Sequence, residues 1–122
     1  MAVFCRRCKR ILDRVDMRRK PDRNARVRAL KSAWDSTGRV FRCYYTGLEL
    51  NETDSKKPLY LTFDHRIPRN ETDVVVTAAC INDMKSDLTE EEFKAVVLQL
   101  AHHFTGGSVV DPAVFNLSHW KR

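Results

Sequence analysis

Asp64 and His65 stand side by side, and Asn82 and Lys85 follow a short distance down the chain, three residues apart. These residue types suit hydrolysis of a phosphodiester. That reaction needs a base to deprotonate water, a cation to meet developing charge, and a hold on the phosphate. An imidazole has the unperturbed pKa best matched to the base role near neutral pH, which points to His65. A carboxylate and an amide oxygen, Asp64 and Asn82, suit a hard Mg2+ or Mn2+ ion that keeps several waters for exchange. Lys85 lies on the same helical face as Asn82 if this stretch is a helix.

The elements around these residues are legible in outline. Leu59-Tyr60-Leu61-Thr62-Phe63 reads as a strand ending at Asp64-His65. Residues 68–73 read as a loop, Val74-Val75-Val76 as a second strand, and residues 78–86 as a short helix capped by Thr77. Strand, loop, strand and helix in this order predict an α+β fold with a compact ββα core over about residues 59–87. Thr89 followed by Glu92 has the capping-box pattern. Phe93, Val96, Val97, Leu100 and Phe104 then recur at helical spacing up to Gly106-Gly107, which predicts a core-packing helix over about 90–104. The tail from Asp111-Pro112 is expected to form a short turn that lays Phe115, Leu117 and Trp120 over the core. His102 and His103 fall in the last turn of the long helix, where the macrodipole favours positive charge.

The first third is different in character. Residues 1–42 hold 14 Lys/Arg and 4 Asp/Glu, and the remaining 80 residues hold 8 and 12, within a 122-residue chain of formal net charge +6 and pI near 9.4. A cationic block on a near-neutral body favours a polyanionic partner, because each neutralised phosphate releases counterions. Residues 1–21 read as an irregular basic arm with Cys5-x-x-Cys8 near its start. Asp22 is the expected N-cap of a helix over 23–36 with Gly38 past its end. Val27, Leu30 and Trp34 would form its apolar stripe, leaving Arg23, Arg26, Arg28 and Lys31 to face nucleic acid. Val40 to Tyr45 is β-prone, Thr46-Gly47 a turn, and residues 51–58 a polar loop. The length predicts one domain, residues 22–122, behind the arm. No apolar run approaches the roughly 18 residues of a membrane span. The first residues lack the apolar centre of a signal peptide. The expectation is therefore a cytoplasmic protein without a membrane partner, its four cysteines reduced.

At Thr62-Phe63-Asp64-His65-Arg66-Ile67-Pro68, Asp73-Val74-Val75-Val76-Thr77 and Asn82-Asp83-Met84-Lys85-Ser86-Asp87-Leu88-Thr89, the chain resembles the HNH endonuclease family. The resemblance covers about residues 40–90. It implies a small ββα-metal (His-Me finger) core with flanking helices, and a metal-dependent endonuclease that cleaves or nicks DNA to leave 5′-phosphate and 3′-hydroxyl ends. In these terms His65, Asp73 and Lys85 form the catalytic group, and Asp64 and Asn82 hold one divalent cation. Asp73 stands where the family has a bracing Asn, and its backbone carbonyl is expected to receive the imidazole N–H, with Asn70 as an alternative brace. Arg66 and Arg69 flank the site as candidate phosphate contacts. The paired cysteine knuckles of many family members are broken in register: Cys43 is kept, Thr46 stands in its partner's place, Ala78 and Ile81 replace the second pair, and Cys80 is displaced. Two readings stand for the cysteines: a four-thiolate structural zinc site of Cys5, Cys8, Cys43 and Cys80, or unrelated buried thiols. The competing function is a non-catalytic, zinc-stabilised nucleic-acid-binding module. The sequence leaves monomer and homodimer equally open.

Overall fold

A computed structural model describes residues 2–14 and 23–120, with side chains described for 6–12 and 23–120. The chain is a small mixed α+β protein. Helix α1 spans Ala2–Arg14 and α2 spans Arg23–Ala33; β1 (Trp34–Asp35) and β2 (Val40–Phe41) form a first antiparallel pair. Strands β3 (Leu61–His65) and β4 (Val74–Ala78) form a second, followed at once by α3 (Ala79–Lys85), then α4 (Glu90–Gly106) and a 3₁₀ turn at Pro112–Phe115.

The β3–β4 register decides what each face of this hairpin carries. Leu61 pairs with Ala78, Phe63 with Val76 and His65 with Val74, while Thr62 pairs with Thr77 and Asp64 with Val75. Successive side chains in a strand alternate between faces. One face is therefore apolar except for His65, and the other bears Thr62, Asp64 and Thr77. The apolar face joins the main core with Ala25, Ala29 and Leu30 of α2, which packs against β4. Asn82 and Lys85 of α3 reach the Thr62/Asp64 face. The hairpin is thus held between two helices, with polar groups collected on one side.

The N-terminal segment departs from the expected irregular arm. It is helical, and Cys8, Ile11 and Leu12 are buried with the core. Their i, i+3, i+4 spacing gives α1 an apolar stripe. Arg7 pairs with Glu52, donates to the Arg39 carbonyl at 2.6 Å, and places its guanidinium 4.9 Å from the Trp34 ring centre. The expected cap Asp22 lies outside the described residues. Helix α2 ends at Ala33 instead of residue 36, because Trp34 and Asp35 enter the β1–β2 hairpin. There Asp35 Oδ1 accepts the Thr37 and Gly38 amides at 3.0 and 3.2 Å and stabilises the turn. The strand expected over 40–45 stops at Phe41 and gives way to a turn at residues 44–46, where Gly47, at φ +73°, donates to the Cys43 carbonyl. Thr77 lies within β4, and the N-cap of α3 is Ala78, with no side-chain cap.

Helix α4 begins with the expected capping box: Thr89 Oγ1 accepts the Glu92 amide at 3.1 Å, and Glu92 accepts the Thr89 amide at 2.9 Å. Gly107, at φ +73°, closes it in the left-handed conformation. The expected core-packing role holds for Phe93 alone, the one buried residue of the helix. Val97, Leu98, Leu100 and Phe104 are exposed, Phe104 by 77%. Phe115 and Trp120 in the tail are also exposed and do not seal the core. The tail is pinned by polar contacts instead: Ser118 donates to Glu92 at 2.7 Å, and the Asp111 amide donates to Gln99 at 3.1 Å.

Candidate active site at the hairpin–helix junction

Asp64 is 5% exposed and Lys85 fully buried. A buried carboxylate needs compensation for its lost hydration. Asp64 has two partners: Lys85 Nζ lies 3.2 Å from Oδ2 and 3.4 Å from Oδ1, and the Tyr45 hydroxyl donates to Oδ2 at 3.1 Å. Burial pushes the Asp64 pKa up, and Lys85 and Tyr45 only partly counter it. The Tyr45 phenol is driven well above its usual range by burial and by the neighbouring carboxylate. Lys85 also donates to the His65 carbonyl at 2.9 Å. One ammonium thus joins the carboxylate to the end of β3.

Asn82 lies three residues before Lys85 on α3. Its Nδ2 donates to the Phe63 carbonyl at 3.2 Å and to Thr62 Oγ1 at 3.3 Å, which leaves Oδ1 without a hydrogen-bond partner among the described residues. The structure therefore brings Asp64, Asn82 and Lys85 together. Lys85, expected in the catalytic group, is enclosed and bonds the Asp64 carboxylate and the His65 carbonyl.

His65 is half-buried and follows Asp64 on β3, so the pleat directs it with Phe63 instead. Its Nε2 is buried and has no hydrogen-bond partner among the described residues. Among the described residues the Asp73 carbonyl, expected as the brace, is not bonded to the imidazole Nε2. The Asp73 carbonyl accepts the Arg66 amide at 3.1 Å, and the Asp73 carboxylate takes the Arg66 guanidinium through two bonds of 2.7 and 2.9 Å. Asn70 is likewise committed locally, its Oδ1 accepting the Thr72 hydroxyl at 2.8 Å.

The cations divide by burial. Arg66, expected at phosphate, is held by Asp73 and lies 3.5 Å from Glu90. The Asp73 bond is the main cause of its raised pKa. Arg26, expected on the DNA-facing side of α2, is 2% exposed with its guanidinium 5.9 Å from the Phe63 ring centre. The buried side of α2 is Ala25, Arg26, Ala29 and Leu30, and the small alanines let the helix approach β4 closely enough to enclose the arginine stem. Arg23, Arg28, Lys31 and Arg69 are at least partly open to solvent.

Cys8, Cys43 and Cys80 are free thiols, and the Cys5 side chain lies outside the described residues. Cys43 Sγ is occupied locally, 3.5 Å from Thr77 Oγ1 and accepting the Ala78 amide at 3.4 Å. Among the described residues no three His, Cys, Asp or Glu side chains gather as a metal site. Asp64 and Asn82 Oδ1 nonetheless match a hard dication in donor chemistry, since one carboxylate and one amide oxygen leave the remaining positions to water and substrate.

Two contributors escaped sequence reading. Tyr45 bonds Asp64, and Tyr44 donates to Glu90 at 2.6 Å. The β-prone stretch that contains Tyr44 and Tyr45 names no partner for either.

Comparison of the chain with known protein families, curated proteins and solved structures finds no match in any of the three. Among the described residues no helix is long and apolar enough to cross a membrane.

Proposed function

We propose that this protein is a divalent-metal-dependent DNA endonuclease with a ββα-metal core, in which His65 is the general base. The observation that carries the reading is the meeting of Asp64, Asn82 and Lys85 where the β3–β4 hairpin joins α3, with His65 the next residue along β3.

The strand geometry restricts where a substrate lies. Asp64 and His65 leave β3 on opposite faces, and the paired ladder ends at His65 and Val74. A phosphate that meets both residues sits across the end of β3, beside the loop over residues 66–73. There His65 takes a proton from the attacking water. Asp64 and Asn82 Oδ1 would hold one Mg2+ or Mn2+, which when bound supplies charge neutralisation at the phosphate and the leaving oxygen. Lys85 fixes the Asp64 carboxylate and the His65 backbone relative to each other. Arg23, Arg28 and Lys31 supply backbone attraction from α2.

The test is nicking of supercoiled plasmid in Mg2+ or Mn2+ by wild type, His65→Ala and Asn82→Ala, alongside a gel-shift measurement. The expected result is nicking by wild type and its loss in both variants, with DNA binding retained. A wild type that shifts DNA but leaves it intact in both metals makes the protein a binding module and removes the enzyme reading.

A further inference from the structure

Helix α2 does not close completely over β4. A cleft of about 440 Å³ is left between them, with β1, residues 42–44 and the end of the 66–73 loop around its edge. That volume lies within the range of small-ligand sites, roughly 300–1,000 Å³. The floor is apolar and buried, formed by Ala29 of α2 with Val74 and Val76 of β4. The rim differs in character. Trp34 and Tyr44, on separate elements, bring aromatic rings to it. Both rings are held. Trp34 packs on Phe41 with ring centres 5.0 Å apart and carries the Arg7 guanidinium at 4.9 Å. Tyr44 meets Tyr45 edge-on at 5.0 Å, donates its hydroxyl to Glu90, and bonds through its amide to the Val76 carbonyl at 2.8 Å. Tyr44 nonetheless stays 46% exposed. A fixed ring left open to solvent offers a surface on which a flat π-system stacks at little entropic cost. The rim also carries two arginines in different states. Arg42 is paired with Asp35 at 2.8 Å, whereas exposed Arg28 has no hydrogen bond or ion pair among the described residues.

Position ties the cleft to the hairpin end. Val74 is the rung partner of His65, and residues paired across an antiparallel ladder share a face of the sheet. A ligand lying on Val74 is therefore beside the imidazole. An apolar floor, a stacking ring and a free cation together suit a nucleotide, with the base in the cleft and its phosphate at Arg28. A base still paired and stacked in a duplex cannot enter, because its faces and edge are already covered. We infer that the cleft binds one unpaired nucleobase, which makes DNA with a bulged or mismatched base next to the cleavage position the preferred substrate class. The substrate half of this statement rests on the endonuclease reading; the base site does not. Extrusion costs least where pairing is already lost, and stacking tolerates any base. The cleft thus selects for a defect in pairing, not for a sequence.

The experiment titrates wild type, Tyr44→Ala and Ser32→Leu into two duplexes of one sequence, one fully paired and one with a bulged base, in EDTA so that no strand is cut. Iodouracil at the bulged position allows photocrosslinking, with the attached residue mapped by mass spectrometry. Wild type is expected to bind the bulged duplex roughly 10- to 100-fold more tightly than the paired one, the range of one base–aromatic stack, and to crosslink through Tyr44 or Trp34. Tyr44→Ala removes the ring, and Ser32→Leu obstructs the rim from an exposed position. Each is expected to bring the two affinities together, and Ser32→Leu serves if Tyr44→Ala does not fold. Equal affinity of wild type for the two duplexes overturns the base site. So does a crosslink confined to residues outside the cleft, or a full preference retained in folded Ser32→Leu. Nicking is then read separately with Mg2+ restored. A wild type that prefers the bulged duplex but cuts neither removes the endonuclease reading and leaves the base site standing.

Discussion

Lys85 Nζ rests 3.2 Å from Asp64 Oδ2 with both side chains shut away from solvent. Exposed ion pairs contribute little to stability, but a buried pair broken on one side leaves an uncompensated charge, which costs about 3–5 kcal/mol. Lys85→Met is therefore expected to destabilise the fold by about that amount, read as a lower urea midpoint. Adding Asp64→Leu should return part of the loss, since the second substitution removes the stranded carboxylate. Equal midpoints for wild type and Lys85→Met would show that the pair has no structural role.

Arg26 and its neighbours on α2 should separate cleanly. Arg26 is buried beside Phe63, whereas Arg23, Arg28 and Lys31 are exposed. Replacing one of these three by Ala is expected to reduce the salt dependence of DNA binding by about 0.9 in log–log slope for each phosphate that its charge neutralises, with little change in stability. Arg26→Ala should do the reverse. A reduced salt slope for Arg26→Ala in a protein of unchanged stability would place Arg26 on the DNA after all.

Two phenylalanines of α4 offer a contrast of the same kind. Phe93 is buried and stacks edge-on with Tyr45 at 5.7 Å between ring centres, while Phe104 is open to solvent. Phe93→Ala is expected to cost about 3–5 kcal/mol, and Phe104→Ser less than about 0.5 kcal/mol. Chemical denaturation of the two variants distinguishes them. A large loss for Phe104→Ser would mean that something covers that end of the helix.

The capping box predicts a pH signature. Burial raises the Glu92 pKa, but hydrogen bonds from Thr89 and Ser118 outweigh it and the net direction is down. A depressed folded-state pKa stabilises the protein above the unfolded value, about 4.3, and that stabilisation is lost as pH falls through the folded value. Glu92→Gln should therefore lower Tm at neutral pH, with the gap to wild type closing as pH falls below the unfolded value and through the folded one. A Tm gap independent of pH would remove the ionised carboxylate from the cap.

Local rules and long-range rules are unequally legible in this chain. The Thr89/Glu92 box, Gly107, the Thr46-Gly47 turn and the β3–β4–α3 order depend on residues a few positions apart, and each is readable from the residues. So is the convergence of Asp64, Asn82 and Lys85. Burial is not. Arg26 follows Ala25 and precedes Ala29 by three residues, so helix geometry groups it with them, yet its charge argues for the surface. The apolar spacing of α4 marks an amphipathic helix correctly but carries no information on whether another element covers it. The position of Asp73 suggests a brace and that of Arg66 a phosphate contact, whereas the two bind each other. Two opposite charges that pair in this way leave no trace in either residue taken alone.

The enclosure of Lys85 with Asp64 also divides the protein's response to salt. Mobile ions screen charges in solvent over a length of about 8 Å at physiological strength but barely reach those inside. Rising salt will strip Arg23, Arg28 and Lys31 of their pull on a polyanion while the interior pair keeps its attraction. On the proposed function, capture of DNA and the internal arrangement of the site would thus be under separate control, with ionic strength turning down the first without disturbing the second.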